Sequence, residues 1–236
     1  MSGWGQIKRF YNEAAAVESD GACRIELDGK PVKTPTGADL IVEQRKLAEA
    51  MADEWAAQGE EVAPLSMPLC RLVATAIDRV GSKRQEVEDI TLKFAETDLL
   101  CYWADNPPEL IARHQEQWRP LLDWASDALG ASLDVTAGIS PILQPVAALY
   151  ALRESIEKLD NLRLIAVSSI AAATGSLVLA FALERGRITA EQTFRIAVVD
   201  EHFQMEQWGE DWEAKERHER ILSDIEESSR LLKLIG

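Results

Sequence analysis

Leu164–Leu183 reads LIAVSSIAAATGSLVLAFAL, twenty consecutive residues without a charge. A run of that length either spans a membrane or lies in a protein core. Nine of its residues are Leu, Ile, Val or Phe, and at roughly −0.3 to −0.6 kcal/mol each they supply only about −3 to −5 kcal/mol towards insertion. Ser168, Ser169, Thr174, Gly175 and Ser176 erode that gain. The small residues Ser169, Ala172, Ala173, Ser176 and Ala180 recur at helical spacing and let other helices approach closely. The run therefore predicts one buried helix over Leu162–Glu184, with Asp160 or Asn161 capping its start and Gly186 ending it.

Around that helix the rest of the chain organises itself. Residues 14–42 predict short strands: Asp28-Gly29 between Ile25-Glu26-Leu27 and Lys30-Pro31-Val32 is a tight hairpin signal, and a second turn follows at Thr34-Pro35-Thr36-Gly37. From Glu43 to Gln58 the period becomes helical, with Leu47, Ala50, Met51, Glu54 and Trp55 on one face that covers the sheet. The segment EEVAPLSMP, residues 60–68, breaks the pattern. Beyond it helices are expected at 69–79, 83–103, 108–129, 141–159, 162–184 and 190–208, with a charged helix running towards Leu232. The expected fold class is α+β: a small N-terminal α+β domain with short antiparallel strands (1–66), then a larger all-α helical domain (67–236) around the apolar helix.

The 236 residues carry 25 Lys and Arg against 40 Asp and Glu, a net charge of −15. Such a surface repels nucleic acid and anionic membranes, so neither is an expected partner, and membrane insertion is not expected. Cys23, Cys70 and Cys101 are widely spaced without a CxxC pair, which predicts reduced structural thiols. The first nineteen residues hold no apolar block of signal-peptide length and no acid-free, Arg-rich presequence, so the protein is expected to stay where it is made.

Signals for catalysis are absent. There is no GxGxxG, GxxxxGK[ST] or GxSxG pattern, and His114, His202 and His218 form no HxxxH or ExxH pair. Glu206, Glu210 and Glu213 share a helix face, so a metal-assisted hydrolase built from the acidic 200–219 segment with His202 or His218 is the alternative reading. The most unusual composition is DEHFQMEQWGEDWEAKE, residues 200–216, in which Phe203, Met205, Trp208 and Trp212 stand among carboxylates. Aromatic area with charge selectivity suits a surface that grips a basic, partly folded protein.

Seven segments together resemble a known family: KRFYNEAAAV (8–17), LDGKPVKTP (27–35), LAEAMADEWAAQ (47–58), PLSMPLCRLVATAID (64–78), TDLLCYWAD (97–105), TGSLVLAFAL (174–183) and DEHFQMEQWGEDWEA (200–214). The chain is similar to the F1-ATPase alpha-subunit assembly chaperones, comprising mitochondrial F1 complex assembly factor two and its α-proteobacterial relatives. Cys70 and Arg71 depart from the family pattern. The resemblance implies an ATP-independent chaperone, not an enzyme, that binds unassembled F1-ATPase alpha subunit without a cofactor or metal and shields the surface destined for beta. It also implies partner contacts at Glu201, Gln204, Trp208, Glu210 and Asp211, with Trp55 matching the family's Glu-Trp pair. A monomer in the bacterial cytoplasm is expected, the mitochondrial matrix being the place of eukaryotic relatives.

Overall fold

The computed structural model describes residues 7–19, 21–138, 140–209 and 212–236. The fold is α+β: short strands dominate the N-terminal part and helices the remainder. The chain divides into two compact units, one containing the residues up to Arg84 together with Arg230–Gly236, the other Gln85–Ser229.

In the first unit, β2 (Ala14–Ser19) pairs antiparallel with β3 (Ala22–Leu27), which also pairs with β4 (Lys30–Pro31) and β5 (Ile41–Val42). The β3–β4 hairpin turns where expected, with Asp28 at φ 47° and Gly29 at φ 76°, the left-handed pair that a tight turn requires. The Asp28 carboxylate then accepts the Asn12 and Glu13 N–H groups, fixing the chain that leads into β2. β1 (Ile7–Lys8) pairs antiparallel with β6 (Glu61–Val62). Helix α1 (Arg45–Ala56) packs on β2 and β3 through the predicted face, and Leu47, Ala50, Met51, Glu54 and Trp55 are all buried.

The boundary expected between residues 66 and 67 lies inside this unit. Helix α2 (Pro68–Thr75) packs on α1, and the buried Glu54 carboxylate accepts the Leu69 and Cys70 N–H groups at 2.9 and 3.0 Å, capping the start of α2 from fifteen residues away. Burial raises the Glu54 carboxyl and these hydrogen bonds pull it back down. Arg230, from the returning C-terminal segment, stands 3.9 Å from the same carboxylate. A π-helical turn, Ala76–Val80, leads into α3 (Gly81–Glu96), where Lys83 departs from helical geometry beside the division between the units.

The second unit contains β7 (Tyr102–Trp103) paired parallel with β8 (Thr136–Ala137), and the helices α4 (Pro108–Gln117), α5 (Arg119–Leu129), α6 (Val146–Glu157), α7 (Asn161–Thr174), α8 (Leu177–Glu184), α9 (Ala190–Ala197) and α10 (Val199–Trp208). It also takes in all of α11 (Trp212–Ile235) before Arg230. The apolar run is core, and no helix among the described residues is long and apolar enough to cross a membrane.

It is two helices, however, where one was expected. Gly175 adopts φ 70° and closes α7, while the Ser176 side chain accepts the Leu179 N–H and opens α8. Two residues from outside the run hold the break. Leu99 N–H donates to the Gly175 carbonyl at 3.0 Å, and the fully buried Asp98 carboxylate accepts from Val178 N–H at 3.0 Å and Leu100 N–H at 3.1 Å. Burial pushes the Asp98 carboxyl up to about 6, against the pull of the Ser176 hydroxyl and these backbone donors. Residues 177–183 are buried on every side, at about 1.5–3 kcal/mol for each large apolar side chain.

Two further expected helices divide in the same way, and a third ends early. The 108–129 segment divides at Trp118, two residues before Pro120, whose missing N–H suits the first turn of a helix. The 190–208 segment divides at Val198. The 83–103 segment ends as a helix at Glu96, where Asp98 begins its capping role.

Candidate functional site

The acidic-aromatic segment forms α10 and the start of α11. Helix α10 is clamped on one side by two adjacent residues of α4. Arg113 makes a two-pronged hydrogen-bonded ion pair with Glu206, at 2.9 and 2.5 Å, and its guanidinium lies 5.0 Å from the Phe203 ring centroid. The pairing holds the Glu206 carboxyl below the usual range and the Arg113 guanidinium above its own. The fully buried His114 stacks flat on Trp118 with centroids 3.7 Å apart. Its Nδ1 accepts the Ala104 N–H at 3.0 Å, so Nε2 carries the proton and donates to Asp200 Oδ1 at 2.6 Å. Trp118 in turn donates its indole N–H to the Ile196 carbonyl at 3.0 Å. The start and the middle of α10 are thus anchored, which leaves its far end to face solvent.

Of the aromatics in the segment, Phe203 is buried against this clamp and Met205 is half-buried. Trp208 is 81% exposed and Trp212 71%. Gly209, at φ 90°, separates them by ending α10 before α11 begins. Gln204 is exposed beside Trp208, and Glu201 is half-buried with its carboxylate 2.6 Å from Arg217. Glu210 and Asp211 lie outside the described residues. So exposed, Trp208 and Trp212 take no part in the core packing that holds Phe203.

Trp55 stands apart from this set. It is 5% exposed in the core of the first unit, its ring edge-on to Tyr11 at 5.7 Å, and its carbonyl accepts the Tyr11 hydroxyl at 2.7 Å. Its indole therefore belongs to the core of that unit rather than to the exposed aromatic set, and a helical face that covers a sheet explains the difference.

The described residues do not assemble the geometry for metal-assisted hydrolysis. Among the described residues no three His, Cys, Asp or Glu side chains are placed to hold a metal. Glu206 is engaged by Arg113, and the rings of His202 and His218 pack edge-on with each other at 5.6 Å and with Phe194 at 6.0 and 5.7 Å. Burial lowers the His218 imidazole from its usual value. All three cysteines are buried free thiols. Arg113, His114 and Asp200, which position the segment, were not read from the sequence as site residues: only their pairing across α4 and α10 gives them a role.

The fold thus presents, at the end of an anchored helix, exposed indoles beside carboxylates. Residues 8–126 match the family of ATP12 chaperone proteins. Over nearly its full length the chain is similar to two crystal structures. One is Atu1473 of Agrobacterium tumefaciens, with 39% identity and a TM-score of 0.92 over 98% of this chain and 87% of that one. The other is Atp12 of Paracoccus denitrificans, with 35% identity and a TM-score of 0.91 over 97% of this chain and 98% of that one. It is also 27% identical to the mitochondrial protein atp12 of Schizosaccharomyces pombe over 96% of this chain and 82% of that protein. The chain belongs to the ATP12 chaperone family.

Proposed function

We propose that this chain is an ATP-independent assembly chaperone of the F1-ATPase, that it binds the unassembled alpha subunit, and that it covers the surface alpha later presents to beta. Family membership supports the chaperone role, and the observation that carries the binding surface is the exposure of Trp208 and Trp212 at the end of a helix anchored elsewhere by Arg113 and His114. Trp208, Gln204 and Glu201, with Glu210 and Asp211, supply the contacts in this reading: indole area for affinity, carboxylates for selecting a basic surface. No catalytic step, metal or cofactor is part of it. The chaperone acts as a monomer in the bacterial cytoplasm, and a complex near micromolar Kd, about −8 kcal/mol, holds alpha while letting beta displace it.

Co-expression with the alpha subunit of the same organism tests this. Soluble alpha that co-purifies with the chain and leaves it when beta is added is the expected result. Alpha that stays insoluble and unrecovered overturns the reading.

A further inference from the structure

The first unit contains a second surface whose chemistry the acidic segment does not explain. An apolar cavity of about 230 Å³ opens to solvent there, walled by buried Leu27, Val32, Trp55 and Val62. Phe10 stands at its mouth, 68% exposed, and Lys30 and Lys33 flank it. An engineered cavity of about 150 Å³ accepts a benzene molecule, whereas cofactor sites run to about 300–1,000 Å³. The volume therefore suits one aromatic or branched aliphatic side chain and is small for a cofactor.

The surroundings select a polypeptide. Lys30 and Pro31 form β4, a two-residue strand at one end of the sheet, and the client of the chaperone reading can bring one anchor side chain to the mouth beside it. In a chain of net charge −15, two ammonium groups beside an apolar mouth make a local exception. Lys33 already pairs with Asp39, which leaves the Lys30 head group to meet an incoming anion.

We infer that this cavity is a client-docking pocket that takes an apolar anchor side chain of the client polypeptide with a carboxylate next to it in sequence. The inference rests on the chaperone reading above and adds a recognition element of opposite charge preference to the acidic segment. Trp55 then serves recognition as a wall of the pocket, which its burial permits.

The test compares binding of isolated F1 alpha subunit to the wild-type chain and to the double variant Phe10→Ala, Lys30→Glu. Both side chains are exposed, so the variant should keep the wild-type melting curve. At least tenfold weaker binding with unchanged melting is expected, and binding within twofold of wild type overturns the pocket. Wild-type chain that fails to bind alpha overturns the chaperone reading instead. An arm that does not use alpha follows the methyl resonances of Leu27, Val32 and Val62 while N-acetyl-Phe-Asp amide or N-acetyl-Phe-Lys amide is added at millimolar concentration. Shifts with the acidic peptide that exceed those with the basic one support the pocket, and equal or absent shifts overturn it. Self-association of the wild type that the double variant abolishes would assign the pocket to a second copy of this chain and overturn the inference.

Discussion

Replacing Gly175 by alanine distinguishes one helix from two by the sign of a stability change. In a continuous helix, alanine is the better residue and the substitution stabilises by about 1 kcal/mol. At the observed φ of 70° an alanine is strained, and the left-handed conformation costs an L-residue about 1–2 kcal/mol. The new methyl group adds little to that cost, because the nearest atom it meets outside the turn is Leu99 Cβ at 3.9 Å, an ordinary contact. The two arrangements thus differ by about 2–3 kcal/mol. Urea unfolding followed by far-UV circular dichroism and tryptophan fluorescence reads the difference. With m near 3 kcal/mol per molar, the midpoint should fall by about 0.3–0.7 M. Gly186→Ala provides the matching control, since Gly186 has φ 67° with open space around it and should also destabilise. An unchanged or raised midpoint for Gly175→Ala would refute the break between α7 and α8 and the capping argument built on it.

The Asp98 carboxyl, raised from 3.8 to about 6, binds a proton in the folded protein where the unfolded chain has lost it. Its contribution to stability is therefore full below pH 3.8 and is lost as pH rises through 6, a change on the order of 3 kcal/mol. Asp98→Asn should flatten that part of the stability–pH profile, and an unaltered profile assigns the slope elsewhere. Glu54→Gln leaves one of the Leu69 and Cys70 N–H groups without an acceptor and should cost about 1–3 kcal/mol in urea unfolding, without affecting the acidic segment. Trp208→Ala and Glu201→Lys should each weaken alpha binding, by tenfold or more for the indole, with the melting temperature almost unchanged because both positions lie near solvent. A large fall in melting temperature would make them structural. Arg113→Ala should speed amide exchange throughout α10 while α7 and α8 stay protected, and equal protection in the variant would remove the clamp from the account.

Local signals determined the elements whose causes are themselves local. Asp28-Gly29 needs two left-handed residues in a row and specifies the hairpin whatever surrounds it. The 3.6-residue period of Leu47, Ala50, Met51, Glu54 and Trp55 sets the buried face of α1, and an uncharged run of twenty residues with too little insertion energy can only be core. The acidic-aromatic character of residues 200–216 was equally plain, because composition needs no partner to be read.

Tertiary structure decided what depends on residues far apart in the chain. Thr174-Gly175-Ser176 offers both an end and a start signal, but the break is fixed by acceptors and donors at Asp98 and Leu99, about eighty positions earlier. Glu54 and Trp55 are adjacent in sequence, yet one caps α2 and the other walls a cavity, and only packing against α2 and the sheet assigns those roles. Within a single amphipathic segment Phe203 is buried and Trp208 is exposed, since the Arg113 guanidinium arrives from α4 over the former while the latter stands 81% open. Helical periodicity says which side chains share a face. Which face meets another element, and which is left for a partner, is settled by long-range contacts that no local pattern encodes.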